Sequence, residues 1–296
     1  MQELMALAGV SDVYSASNDL FKAFLGIDMS VSQVYRVSSV LGHQINVDLA
    51  QEVSHPELLA DEVIYGSMDG SMIFTDQGWQ EVKVGRLFSS LRRREAGQKE
   101  DNQTRFRLEQ STYCAHLGSS EEFIPLFEAS LGHYKNTPER LVFVTDGGVW
   151  IQRYLEENYP LATHILDYYH AVEHLASFSR THFQKAACAA QWLDKQRNYL
   201  MVDGIDEVLS NLEGLSNLSR SAEESRREVM GYYQRNRHRM QYSQFQERGL
   251  QIGSGSMEAA HRTVVQCRMK RTGLAYQRAA VERTGGSGHA QSAGSS

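Results

Sequence analysis

The 296-residue chain is poor in the features that would settle its class at once. It holds three cysteines, Cys114, Cys188 and Cys267, far apart and with no CxxC pair. That pattern supports neither a zinc framework nor a disulfide scaffold, and a reducing compartment is the simpler expectation. The opening MQELMALAGVSDVYS has no basic n-region and carries Glu3 early, so it does not read as a secretory signal. No apolar run approaches the roughly 18 residues of a membrane span. The expectation is a soluble protein without a membrane partner. Positive charge is also short: 30 Lys and Arg stand against 36 Asp and Glu, a net −6. That total alone disfavours a nucleic-acid partner. What is present is an ordinary globular balance, 41% hydrophobic and 22% charged, which excludes wholesale disorder.

The total conceals an asymmetry. From Leu215 to Arg283 there are 13 basic and 6 acidic residues, a balance of +7, whereas residues 1–214 hold 17 basic and 30 acidic, or −13. An acidic body with a basic C-terminal third prompts the search for an anionic partner. Read blandly, the same basic residues decorate solvated helix faces.

Periodicity divides the chain further. Residues 1–52 read as helical, with Leu20, Phe21, Phe24 and Leu25 expected on one packed side and Ser30 or Ser32 capping a helix that carries Val34, Val37 and Val40. In 61–116 the pattern turns to strands. Asp69-Gly70 between apolar runs reads as a tight return, WQEVKVGRLF (79–88) as a half-buried strand, and LRRREAGQKEDNQ (91–103) as a charged loop. Arg105–Leu108 and Thr112–Leu117 are expected to add a pairing. Ser119 followed by Glu121 and Glu122 opens a helix that carries Phe123, Leu126, Phe127 and Leu131. The apolar run from Leu141 to Val144, ending in Thr145-Asp146-Gly147-Gly148, predicts a buried strand with a carboxylate at its tip. A helix over Val149–Asn158 and a strand over Thr163–Leu166 follow. Strand and helix alternating in this way imply an α/β fold with a partly parallel sheet under helical cover. From Tyr168 to about Tyr242 the pattern is helical throughout, and Ser256–Lys270 reads as a closing helix.

Three acids stand out by position: Asp69, Asp146 and Glu258. Carboxylates at strand tips line the crevice outside an open sheet, where ligands bind. Three such acids drawn together repel one another unless cations join them, and hard oxygen donors suit Mg²⁺. Taken singly, each has a local explanation: Asp-Gly is a turn signal, and Glu258 is a helix N-terminal charge. The set of three, in fold order, carries the functional reading.

The blocks YGSMDGS, WQEVKVGRLF, VFVTDGGVWI, ILDYYHAVEHL and IGSGSMEAAHRTVVQCRMKRTG resemble, in combination and in order, bacterial insertion-sequence transposases of the DDE type. The likeness is nearest to the ISKra group, with a wider likeness to Mutator-like transposases, and covers roughly residues 60–273. The resemblance implies an RNase H-like mixed sheet with helical cover, interrupted by an all-α insertion. Asp69, Asp146 and Glu258 then match the two Asp and the Glu, and hold two Mg²⁺ ions, with Mn²⁺ as the alternative. The implied organisation is a helical N-terminal segment over 1–58, a helix-turn-helix remnant; a catalytic core over 59–273 with its insertion at about 168–242; and a disordered or frameshifted tail over 274–296. The spacings, 77 residues from Asp69 to Asp146 and 112 from Asp146 to Glu258, accommodate that plan. The implied activity is metal-assisted hydrolysis at the element's ends, followed by strand transfer to target DNA. The partners are then double-stranded DNA (terminal repeats and target) and further copies of the chain, in a bacterial cytoplasm at the nucleoid. A DNA-binding remnant that no longer cuts is the non-enzymatic alternative.

Asp167, His170 and His174 share a helix face if the helix starts at Asp167. The resemblance assigns His170 to the scissile phosphate or to orienting water. The same residues, His170-Ala171-Val172-Glu173-His174, match the H-x-x-E-H zinc-peptidase motif, and a third reading has both histidines merely packing a helix. The transposase role ranks first, packing second, peptidase third. Downstream, Arg226, Arg227, Arg235, Arg237 and Arg239 interleave with Tyr232, Tyr233, Tyr242 and Phe245, a pattern in which arginines hold phosphates and rings stack on bases. Its plain alternative is an amphipathic helix that buries its tyrosines. Arg262, Arg268, Lys270 and Arg271, on or just past the Glu258 helix, are the remaining candidates for DNA contact.

Overall fold

A computed structural model describes residues 4–5, 14–49, 51–75, 77–91, 93–98, 104–108 and 111–253. The fold is α/β, with a mixed five-stranded sheet whose strands lie in the order Ser111–Leu117, Gly78–Ser89, Ile64–Thr75, Leu141–Thr145, Thr163–Leu166, and a separate two-stranded ribbon of Arg93–Gln98 and Thr104–Leu108. The chain divides into two compact units, one running to Leu141 and the other spanning Val142–Gly255. Among the described residues no helix is long and apolar enough to cross a membrane.

The first unit begins with α1 (Tyr14–Leu25) and α2 (Val31–Leu49). Ser30 caps α2 through its hydroxyl, which accepts from the Gln33 amide. Phe21, Met29 and Val34 form a small core with Met5. The four apolar residues expected to pack along α1 do not all do so: Phe24 is 80% exposed, and Leu20 and Leu25 also face solvent. Val40 of α2 is exposed as well.

Next, β1 (Ile64–Thr75) and β2 (Gly78–Ser89) pair antiparallel along their whole length. This overturns the reading of Asp69-Gly70 as a return. Asp69 pairs with Val84 and Gly70 with Lys83 in mid-strand, and the chain reverses at Gly78, whose φ is +93°. A Cβ at Gly70 would meet only the Glu81 side chain, whose carboxylate would have to swing aside. The charged stretch expected to be a loop also holds regular structure. Its residues Arg93–Gln98 (β3) pair with Thr104–Leu108 (β4), so β4 does not join Ser111–Leu117 (β5), which pairs with β2.

Ser119 and Glu122 form a reciprocal capping box at the start of α3 (Ser120–Leu131). That helix covers one sheet face: a Cβ on Gly85 would meet Phe127 at 2.6 Å and the Cys114 sulfur at 2.7 Å. Burial there pushes the Cys114 thiol up to about 12, which makes it an inert core group. Strand alternation places Asp69, one position from Met68 and its partner Gly85, on the opposite face.

The second unit is built from β6 (Leu141–Thr145), α4 (Val149–Asn158) and β7 (Thr163–Leu166), followed only by helices among the described residues: α5 (Tyr168–His182), α6 (Ala186–Met201), α7 (Ile205–Glu213), α8 (Arg220–Asn236) and α9 (Tyr242–Glu247). β6 is buried at every position, as its unbroken apolar run predicts. It pairs parallel with β7, and α4 connects the two.

Candidate active site

In register, Thr145 of β6 stands opposite Leu166 of β7. The next residues, Asp146 and Asp167, therefore leave neighbouring parallel strands at the same end. The Asp167 amide donates to the Thr145 carbonyl at 2.8 Å, which carries the pairing one step beyond the strands. This is the end of a parallel pair where open α/β sheets bind ligands.

The two carboxylates are used differently. Asp167 is 4% exposed and caps α5: its Oδ1 accepts from the amides of Tyr169 at 2.7 Å and His170 at 3.2 Å. Asp167 is therefore the residue before the helix and not a member of a helical stripe with His170 and His174. Asp146 is half-buried, and its Oδ1 accepts from the Gly148 amide at 2.9 Å. Gly147 has φ +86°, a conformation that favours glycine. A Cβ on Gly148 would stand 3.3 Å from Asp146 Oδ1, so the glycine leaves room beside the carboxylate.

Helix α8 returns to this tip. The Tyr232 hydroxyl donates to the Asp146 backbone carbonyl at 2.6 Å. Burial, and after it the Asp146 charge, pushes that hydroxyl well above its ordinary range, so it stays protonated and a donor. The His174 ring lies against Tyr232 at 4.1 Å, and the His170 ring meets His174 edge-on at 5.2 Å. Burial first, and then His170, holds His174 below the usual histidine range. The His170 side chain is 40% exposed, with Nδ1 3.6 Å from Glu173. Among the described residues no three His, Cys, Asp or Glu side chains are grouped so that they could hold a metal ion. Glu258 lies outside the described residues.

The arginines read as DNA contacts separate into distinct environments. Arg239 is 1% exposed and points inward: it donates to Thr145 Oγ1 at 3.4 Å, to Gln152 Oε1 at 3.3 Å and to Asn236 Oδ1. Such a guanidinium is not presented to a phosphate in this structure. Arg226 donates to the carbonyls of Leu212, Glu213 and Leu215, closing the end of α7. Arg237 is exposed and pairs with Asp206. Arg235 is exposed. The rings expected to stack on bases, Tyr232, Tyr233, Tyr242 and Phe245, are all buried in the unit's own core, so the amphipathic-helix alternative describes them. Arg262, Arg268, Lys270 and Arg271 lie outside the described residues.

Asp69 belongs to the first unit. There its Oδ1 accepts from the Gly70 amide at 2.7 Å, and Ser67 and Ser71 flank it on the same face of β1. The sequence reading missed Tyr232 as a partner of the Asp146 backbone, Arg239 as a partner of Thr145 and Gln152, and Asn236 as the link between Tyr232 and Arg239. The signal available was that Tyr232 and Asn236 stand one helical turn apart, but the Tyr232 target lies 86 residues away. No protein-family model matches the chain, and no curated protein is detectably similar to it.

Proposed function

We propose that this chain is a DDE-type DNA transposase that cleaves phosphodiester bonds at element ends and joins them to target DNA, with Asp69, Asp146 and Glu258 as its three catalytic carboxylates. The observation that carries the reading is the Asp146 tip. A carboxylate leaves the C-terminal end of a buried strand beside a parallel neighbour, in a glycine loop that keeps space next to it. The donor set fits divalent cations, since three carboxylates are hard oxygen ligands suited to Mg²⁺ or Mn²⁺. Bound there, the ions would activate water and offset charge on the leaving oxygen.

The chain's own residues have separable tasks in this account. Asp69, Asp146 and Glu258 hold the ions. His170, with its partly exposed ring, contacts the scissile phosphate or orients water. Arg235 and the basic residues around Glu258 hold the DNA backbone. Asp167 orients the start of α5, and through it His170. Attack by activated water needs no covalent protein–DNA intermediate, so none of the tyrosines need be a nucleophile.

The test is a Mg²⁺-dependent nicking assay on DNA carrying the element's terminal repeats, with wild type beside Asp146→Ala. Cutting by wild type and none by the variant is expected, with DNA binding kept by both. Equal cutting removes Asp146 from the chemistry. Binding by both without cutting by either makes the chain a DNA-binding remnant. Tightly bound zinc that is lost in His170→Ala would favour the peptidase motif instead.

A further inference from the structure

We infer that the C-terminal end of α8 is a positioning clamp for the loop that carries Asp146, and that Tyr232 is the contact through which it acts. Tyr232 and Asn236 stand one turn apart on α8, and Arg239 follows in the 3₁₀ turn Arg237–Arg239. Tyr232 takes the Asp146 carbonyl at 2.6 Å. Its ring lies so close over Gly147 that a Cβ there would stand 3.1 Å from both ring and hydroxyl. Arg239 takes Thr145 on one side of the loop and Gln152, inside α4, on the other. Asn236 ties the two together, donating to the Tyr232 carbonyl at 2.8 Å and accepting from Arg239. One helix end thus grips residues 145–152 at several points.

The chemistry of the grip is selective. Tyr232 bonds the backbone of Asp146 and leaves its carboxylate to other partners. Fixing the Asp146 carbonyl fixes its peptide plane, and so the direction in which its Cα–Cβ bond points. The Gly148 amide then holds one carboxylate oxygen. Pre-set ligand orientation of this kind strengthens metal binding through residues that never touch the metal. The clamp itself stands on the geometry; its effect on metal binding rests on the transposase reading.

Tyr233 supplies the matched control. It is the next residue of α8, is fully buried, and donates to the Ala171 carbonyl at 2.8 Å, away from the loop. The experiment compares Tyr232→Phe with Tyr233→Phe in the full chain. It reads hydrogen exchange over residues 145–152, the Mg²⁺ concentration for half-maximal cleavage, and KM for DNA. Tyr232→Phe is expected to quicken exchange over 145–152 and to raise the half-saturating Mg²⁺, each about fivefold, the equivalent of roughly one neutral hydrogen bond. KM for DNA should not move. Tyr233→Phe should lower the melting temperature and leave the other readouts at wild-type values. The clamp is overturned if the two variants behave alike, or if Tyr232→Phe leaves exchange over 145–152 unchanged. A wild type that does not cut sinks the transposase reading instead, and the exchange comparison then decides the clamp alone.

Discussion

Among the described residues each unit buries one arginine, and the two are held in different ways. Arg86 in the first unit is 6% exposed. Its guanidinium lies 5.2 Å from the rings of both Phe88 and Tyr113, and donates to Ser111 Oγ at 2.9 Å. Those partners come from its own strand and from the strand paired beside it, where Arg86 stands in register with Tyr113. Arg239 in the second unit is bonded to Thr145 and Gln152, 94 and 87 residues earlier. Burial is the first cause lowering the pKa of both, and both remain cations. The first arginine is a product of sheet register. The second is a tertiary strut, and nothing near it in sequence marks it as one.

The same substitution in both places sharpens that contrast. Arg239→Met strips partners from Thr145, Gln152 and Asn236 at once, and should cost about 1–3 kcal/mol. Arg86→Met keeps an apolar, polarisable side chain beside the two rings and removes the bond to Ser111, and should cost about 1 kcal/mol. Hydrogen exchange resolved by unit measures both. A larger loss at Arg86 would reverse the comparison.

A smaller effect separates the units by acid. In the second unit His164 and His174 are held below the usual histidine range, each mainly by burial. Their folded pKa values lie under the unfolded value of about 6.5, so their contribution is present above that pH and lost as pH falls below it. Among the described residues of the first unit the shifted acids are Glu121 and Glu122, lowered first by backbone amides at the α3 N-terminus. Their contribution is present above the unfolded glutamate value of about 4.3 and is lost only below it. Between about pH 6 and pH 5, exchange should therefore quicken in residues 142–253 before residues 111–131. The reverse order would contradict this assignment.

Local chemistry made much of the fold legible. Ser119 with Glu122 marked the start of α3, Ser30 capped α2, and the apolar run ending at Thr145 gave β6 with Asp146 at its tip. Each signal is contained within a few residues. Asp69-Gly70 misled because Asp-Gly is a turn signal only where the backbone is free to turn; here twelve register pairs hold it straight. The β3 strand was hidden by its charge, since a strand in a two-stranded ribbon with β4 does not need an apolar face pattern to be written in its sequence. Arg239 looked like its exposed neighbours Arg235 and Arg237, and only the fold brings Thr145 to it. The candidate site was legible as Asp146 and its glycines. The α8 residues that hold it were not, because their partners are set by how the helices return to the strand tip.

The proposal that Asp69, Asp146 and Glu258 work together is tested by a mutant cycle. Strand-cleavage rates on DNA carrying the element's ends are compared for Asp69→Asn, Asp146→Asn, Glu258→Gln and the Asp69→Asn/Asp146→Asn double variant. Groups that work as a unit are grossly non-additive. Each single variant should fall to background, and the double should be no slower, with DNA binding retained throughout. A single variant that cuts at the wild-type rate would contradict the account, as would two partial losses that simply multiply.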